Sequence, residues 1–426
     1  MVSKKADELN GLIRKENPTV YELLSLRGRS LFFPRGGIIA QAEEAKGCKI
    51  NATAGIALDE NGEPLVLESI SRKVEIEKKD AFTYASSFGR RELREKWREF
   101  IYKKNPGLNV DISLPVVTGG LTHALFVAGC LFADESVIIP EPYWGNYNLI
   151  FENGFDVRIE KFKFFHDEAF NVIGLDEELS REGDRKVLVL NFPHNPTGYS
   201  LRVKEAERVA EVIEAHASKG KKFVIICDDA YFGLAFEPDV FAESLFSVLA
   251  GLHENILAVK VDGATKEDYV WGFRVGFITF GTKKNSRELY NALEEKAAGA
   301  VRGTVSNCSH LSQSLLIRAF EDRDYDNEKR KKYELLKRRY EQVKKVLKEF
   351  DNTHFEPLPF NSGYFMCLKV KGVDAEQVRQ LLLKKYSTGV IATGDLIRVA
   401  FSSTPIDKIR EVFENIYKAC DEIIKR

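Results

Sequence analysis

The sequence predicts an α/β protein: a large domain whose mostly parallel sheet lies between helices, and a smaller α+β domain formed by the C-terminal part together with the N-terminal segment. Three observations predict it. Short apolar, β-rich runs alternate with helical patterns through the middle of the chain, as strands buried on both faces do. From about residue 321 the texture changes to a long, charged, amphipathic stretch. The 426 residues, 44% hydrophobic and 30% charged, suffice for a large core and more than one domain.

The strand-like runs are "LPVVTG", "SVIIP", "VLVLNFP", "FVIICDD", "ILAVKVDG" and "VGFITFG". Helical segments separate most of them, for instance residues 203–220, "VKEAERVAEVIEAHASKG", where Gly220 supplies the stop. In "EDRDYDNEKRKKYELLKRRYEQVKKVLKEF" the apolar residues Tyr333, Leu336, Tyr340, Val343, Leu347 and Phe350 recur three and four apart. That spacing predicts a long helix with one dry stripe, its charges forming a solvated face rather than a basic binding site. Such a helix carries the chain from the large domain into the small one. The expected organisation is an N-terminal arm and part of the small domain over residues 1–70, the large domain over 71–320 and the C-terminal small domain over 321–426. No repeat or low-complexity linker interrupts it.

Composition excludes several classes. A formal charge of −1 calls for neither nucleic acid nor an acidic membrane surface. No apolar run reaches the length of a membrane span, and the opening "MVSKKADELNGLIRKENPTV" lacks the apolar core of a signal peptide, so a cytoplasmic protein is expected. Cys48, Cys130, Cys227, Cys308, Cys367 and Cys420 are far apart and mostly sit in apolar runs, which suits buried free thiols. The seven histidines show no metal-binding spacing, and no metal is expected.

Chemistry concentrates at the carboxyl ends of the predicted strands, where open parallel sheets bind ligands. "VVTGGLTHALF" places Gly119 and Gly120 between a strand and a helix, where backbone N–H groups and the helix dipole can close on a phosphate; a plain tight turn explains two glycines equally simply. "LNFPHNPTGYS" sets Asn195 at a strand end, in what is otherwise an ordinary proline turn. In "IICDDAYFGL", Asp228 ends an apolar strand and Tyr231 follows three residues later. A carboxylate there is expensive unless a cation or a hydrogen bond meets it; Asp229 competes for that role, and a helix cap is the structural alternative. Finally, "VDGATKEDYVWGFRVGFITFG" puts Lys266 beyond a buried strand, with Arg274 eight residues on. A lone lysine would usually be a solvated loop amine.

Taken in this order and at this spacing, the segments resemble the fold-type I aminotransferases that use pyridoxal 5′-phosphate, and the resemblance covers nearly the whole chain. It implies the following roles. Lys266 forms the Schiff base, Arg274 holds the phosphate, Asp228 pairs with the pyridinium nitrogen and Tyr231 meets the ring hydroxyl. Asn195 is the second hydroxyl partner, and Gly120 with Leu121 begins the phosphate-binding helix. In "PEPYWGNY", Trp144 resembles the aromatic that stacks on the cofactor ring, with Tyr143 the near alternative. "GDLIRVAFSS" resembles the strand that clamps the substrate α-carboxylate, which makes Arg398 the clamp. "FTYASSFGRRELREKW" resembles the segment whose tyrosine, here Tyr84, reaches the neighbouring cofactor's phosphate across a homodimer interface. "AVRGTVSNCSH" resembles the segment that, in aspartate aminotransferases, lends a partner's arginine, here Arg302, to a distal carboxylate.

Physical chemistry explains why these types belong together. A lysine must be a neutral amine to attack an imine, and desolvation or a neighbouring cation such as Arg274 lowers its pKa. Arg398 can grip a carboxylate with two prongs and so fix which Cα bond stands perpendicular to the ring. The implied activity is ping-pong transfer of an amino group between an L-amino acid, aspartate/glutamate or aromatic, and a 2-keto acid. Two features depart from the pattern. Gly263 stands where many relatives have a phosphate-binding serine, leaving open whether Thr265 substitutes, and the run "KEDYVW" after the lysine is unusual. A carbon–sulfur β-lyase on the same fold is the alternative, and a noncatalytic DNA-binding regulator is disfavoured because no basic helix-turn-helix module precedes the fold.

Overall fold

The six apolar runs all become strands of one sheet. The structure is a computed structural model that describes residues 4–31 and 37–425, so the expected N-terminal arm lies partly outside the described residues. The sheet comprises β1 (Val116–Thr118), β2 (Ser136–Glu141), β3 (Arg158–Lys163), β4 (Arg185–Asn191), β5 (Lys222–Asp228), β6 (Ile256–Asp262) and β7 (Gly276–Gly281). Strand β3 was not legible as an apolar run: it reads "RIEKFK" at the sheet edge and buries only alternate residues.

The strand order is β1-β7-β6-β5-β4-β2-β3. All pairings are parallel except the two made by β7, which runs antiparallel to β1 and β6. That reversal has a direct consequence. The amino end of β7 lies at the carboxyl edge of the other strands, with Gly276 opposite Thr118 and Phe277 opposite Asp262. Arg274, two residues before β7, is thereby delivered to the same edge as the ends of β1 and β6.

Close backbone approach permits this corner. A Cβ on Gly263 would lie 2.7 Å from Gly276 Cα and from Val275 O, so neither glycine's neighbourhood has room for a side chain. Behind the corner, Trp97 from α1 (Arg91–Lys104) stacks on Phe277 with ring centroids 4.2 Å apart and donates from Nε1 to Asp262 at 3.0 Å.

A second sheet, ordered β8-β9-β11-β10, is built from β8 (Phe355–Pro357), β9 (Phe365–Val370), β10 (Ile391–Thr393) and β11 (Leu396–Ala400). The N-terminal segment docks beside it: Ile50 and Asn51 pair in parallel with Thr388 and Gly389. The predicted long helix, α6, spans Tyr325–Leu347, so Phe350 lies past its end. Leu336, Tyr340 and Val343 of the dry stripe are buried. So is Arg339, which the pattern assigns to the solvated face. Its guanidinium donates to Leu58 O at 2.7 Å, Ser402 O at 2.5 Å and Glu60 Oε1 at 2.8 Å, tying the N-terminal segment to the end of β11. All six cysteines are free and four are buried; Cys130 is exposed, contrary to the expectation for an apolar run. Among the described residues no helix is long and apolar enough to cross a membrane.

The two sheets meet at the "NPTG" turn. Gly198 has φ +73°, and its carbonyl accepts from Asn361 N at 3.0 Å and Ser362 N at 2.9 Å, just before β9. A methyl at this position would overlap the Phe365 carbonyl. Gly198→Ala is therefore expected to cost about 3 kcal/mol or more, read as a lowered midpoint in denaturant unfolding.

Candidate active site

At the carboxyl edge of the large sheet, against the second sheet, lies a cavity of about 290 Å³. Lys266, Asp228, Tyr231, Asn195, Arg274 and Arg398 all line it. Each arrives by a short route. Asp228 is the last residue of β5, paired with Asn191, the last residue of β4. Lys266 sits in the single turn α4 (Ala264–Glu267) that follows β6. Arg398 projects from the middle of β11, and Leu121 opens α2 (Leu121–Phe132) directly after β1. Gly120 caps α2 with φ +86°, and a Cβ there would collide with the Arg274 guanidinium.

The charges are unevenly matched. Neither Arg274 nor Arg398 has an ion-pair partner among the described residues. Arg274 Nη1 donates to Trp271 O at 3.2 Å. Arg398 lies over the Phe365 ring at 4.1 Å and makes two long bonds, Nη1 to Asn195 Oδ1 at 3.2 Å and Nη2 to Thr53 O at 3.3 Å, while its Nε has no acceptor. Loss of hydration lowers the pKa of this buried guanidinium. Between the arginines, Asp228 is the acidic residue of the lining.

The model of the family described as aminotransferase class I and II matches residues 48–416. The chain belongs to this family. The aspartate aminotransferase of Thermotoga maritima is 27% identical over 382 residues, covering 86% of this chain and 90% of that enzyme. The aspartate aminotransferase of Sulfolobus acidocaldarius is 24% identical over 80% of each chain. Among solved structures, an aminotransferase from Anaerococcus prevotii superposes with a TM-score of 0.82 at 25% identity, covering 93% of this chain and 99% of that one.

In this aminotransferase Lys266 is only partly exposed, at the cavity wall. Desolvation lowers its ammonium to a pKa of about 8; Asp228 opposes that shift and Arg274 adds to it. Its Nζ lies 4.9 Å from the centre of the Tyr231 ring. Burial raises the Asp228 carboxyl above its usual range, restrained by a hydrogen bond from Tyr147 Oη to Oδ2 at 2.6 Å and by Lys266. Ala230 N donates to Oδ1 at 3.2 Å, and Asn191 Nδ2 holds the Asp228 carbonyl at 2.7 Å.

The competition between the adjacent aspartates is resolved by strand alternation. Asp229 is turned away from the cavity, where it is ion-paired with buried Lys260 and accepts from Ser244 Oγ at 2.6 Å. Of the two candidate aromatics, Trp144 lines the cavity, whereas Tyr143 stands outside the lining with the Lys161 ammonium 5.2 Å from its ring centre. Tyr84 is 91% exposed and Arg302 is exposed at the end of helix α5 (Arg287–Thr304), bonded to Ser306 Oγ at 2.7 Å. The cavity therefore gathers neither. Sequence reading missed Tyr147, Asn191, Thr122 and Trp271, which line the cavity too. Tyr147, Asn191 and Trp271 had no signal beyond their positions near strand and turn ends.

Tyr147→Phe removes a donor to a buried carboxylate. Without it Asp228 holds its proton to higher pH. The variant is expected to lose about 1.5–3 kcal/mol of stability at neutral pH, where the acceptor is charged. The deficit should shrink as pH falls through the raised Asp228 pKa, because a neutral acceptor gains less from the phenol. Denaturant unfolding of both proteins at several pH values measures it.

Proposed function

We propose that this aminotransferase binds pyridoxal 5′-phosphate through Lys266 and transfers amino groups between an L-amino acid, foremost aspartate or glutamate, and a 2-keto acid. The observation that carries this reading is the pair of guanidiniums, Arg274 and Arg398, left without counter-anions in one cavity with a low-pKa lysine and a buried carboxylate. Residue chemistry fits such a group. Gly120 leaves a cradle that a Cβ would fill, and buried donors on the wall, Thr265 Oγ1, Trp271 Nε1 and Arg398 Nε, have no acceptor among the described residues.

When bound, the cofactor supplies an electron sink for negative charge at the substrate Cα. The chain's residues do the rest. Arg274 and the first N–H groups of α2 hold the phosphate. Asp228, fixed by Tyr147 and Ala230 N, accepts the ring N–H and keeps that proton in place. Tyr231 and Asn195 would meet the ring hydroxyl and Trp144 would cover the ring. Arg398 exchanges its long bonds for the α-carboxylate and sets the Cα–H bond in line with Lys266. As a free amine beside the bound substrate, Lys266 would carry the Cα proton. With a pKa of about 8, roughly half of its amine is neutral at pH 8, enough to act as base and then return the proton as acid.

The preference for dicarboxylic substrates draws on the names of the relatives and on Arg302. A homodimer would bring both Arg302 and Tyr84 to the neighbouring cavity. In support, Phe82, Tyr84, Val305 and Leu311 are exposed apolar side chains near Arg302, and Thr83 Oγ1 meets His310 Nδ1 at 2.9 Å between their segments. The proposed division into units at residues 70 and 320 is supported by the large sheet falling within residues 116–281 and the second within 355–400. A cytoplasmic location accords with the composition and the free buried thiols.

Borohydride treatment of the cofactor-loaded protein is expected to leave a stable label on the Lys266 peptide. Lys266→Ala should give no label and lose at least about 10⁴-fold in transamination rate; retained activity or a label elsewhere refutes the assignment. Arg302→Ala is expected to raise the KM for aspartate and glutamate by about 10- to 100-fold, with little effect on phenylalanine. Steady-state kinetics on the three donors with 2-oxoglutarate decides it, and equal loss on all three assigns Arg302 to the interface alone.

A further inference from the structure

Beside Arg398 Nε, two further donors on the cavity wall lack acceptors among the described residues. Thr265 is 4% exposed with a buried, unpartnered Oγ1, and Trp271 Nε1 is buried and unpartnered as well. Buried donors are normally satisfied, so a pair of them facing one cavity points to a ligand oxygen. Both residues line the cavity together with Arg274, Leu121 and Thr122.

Their positions are rigid. Thr265 lies in α4, where Val270 N donates to its carbonyl at 3.1 Å. Trp271 opens the short turn Trp271–Phe273, which ends at Arg274 with φ +54°, and its carbonyl receives Arg274 Nη1. Position 263, where many of the resembling enzymes carry a serine hydroxyl, has no space for one: backbone atoms of Val275 and Gly276 stand 2.7 Å from any Cβ, and backbone cannot swing aside.

We infer that in this chain the cofactor phosphate is held by Thr265 Oγ1–H and Trp271 Nε1–H, beside Arg274 and the α2 amides, in place of a hydroxyl at 263. The inference rests on the reading that the cavity takes pyridoxal 5′-phosphate. It deepens that reading by naming the donors that recognise the phosphate. Displacement of the hydroxyl from 263 to 265 allows β7 to pack directly on the end of β6.

Thr265→Val keeps the side-chain shape without the hydroxyl, and Trp271→Phe removes the indole N–H. Each full-length variant is titrated with pyridoxal 5′-phosphate and, separately, with pyridoxal, following absorbance and borohydride labelling of Lys266. Each is expected to bind the phosphorylated form about 10- to 100-fold more weakly while changing little toward pyridoxal. Thr265→Ser, which retains the hydroxyl, should stay close to the parent, and Gly263→Ser added to Thr265→Val should recover nothing. Inorganic phosphate should compete with the phosphorylated form less well in Thr265→Val than in the parent. Equal changes toward both vitamers, unchanged affinity for both, or recovery by Gly263→Ser overturns the inference and leaves Lys266 chemistry standing. A parent protein that takes no label at Lys266 removes the underlying reading instead.

Discussion

Positive charge that the chain does not neutralise is the constraint on which the site depends. Three cations, Lys266, Arg274 and Arg398, share a cavity with one carboxylate, Asp228. The buried Arg398 guanidinium is costly without an anion, and Arg274, exposed to solvent at the cavity wall, adds like charge to the same cavity. Lys266, desolvated and beside Arg274, gives up its proton more readily than a free ammonium. The arginines have no such escape, since a guanidinium stays protonated, and they remain as fixed sites for anions.

Topology delivers that charge. The six codirectional strand ends would present Asn191, Asp228 and the turns after β1 and β6, but no arginine from beyond β6. Reversal of β7 brings Arg274 back to the same edge, and the Gly263–Gly276 contact closes the corner. On the far side of the Lys266 turn, Glu267 and Asp268 are tied to Lys329 at 3.0 and 2.9 Å, and Glu267 also meets Lys104. This cluster anchors the turn to α1 and α6, so Lys266 sits on a fixed support. The same helix α6 carries Arg339 to the end of β11, so one rod touches both the lysine turn and the strand bearing Arg398.

Much of this was legible in the sequence, for identifiable reasons. Strands buried on both faces are continuous apolar runs, and six of seven stood out; β3, at the edge, alternates with charge and did not. The functional residues at strand ends were legible because a charged or amide side chain directly after an apolar run is conspicuous. Tyr147, Asn191 and Trp271 were not, since an aromatic or an amide near a turn has many ordinary uses. Arg339 misled the pattern because helical periodicity reports averages over a face, and one charged residue on the dry side is invisible to it.

The sequence by itself determined the alternation of strands and helices, the order of the chemical groups along the chain and the bias of each toward a strand end, because these follow from local periodicity and turn chemistry. Only the tertiary structure decided that Asp228 rather than Asp229 faces the cavity, that position 263 has no room for a hydroxyl, and that Tyr84 and Arg302 stand outside the cavity. Those outcomes depend on which strand runs beside which and in what direction, and distances between residues far apart in the chain are set by that packing and not by any local stretch.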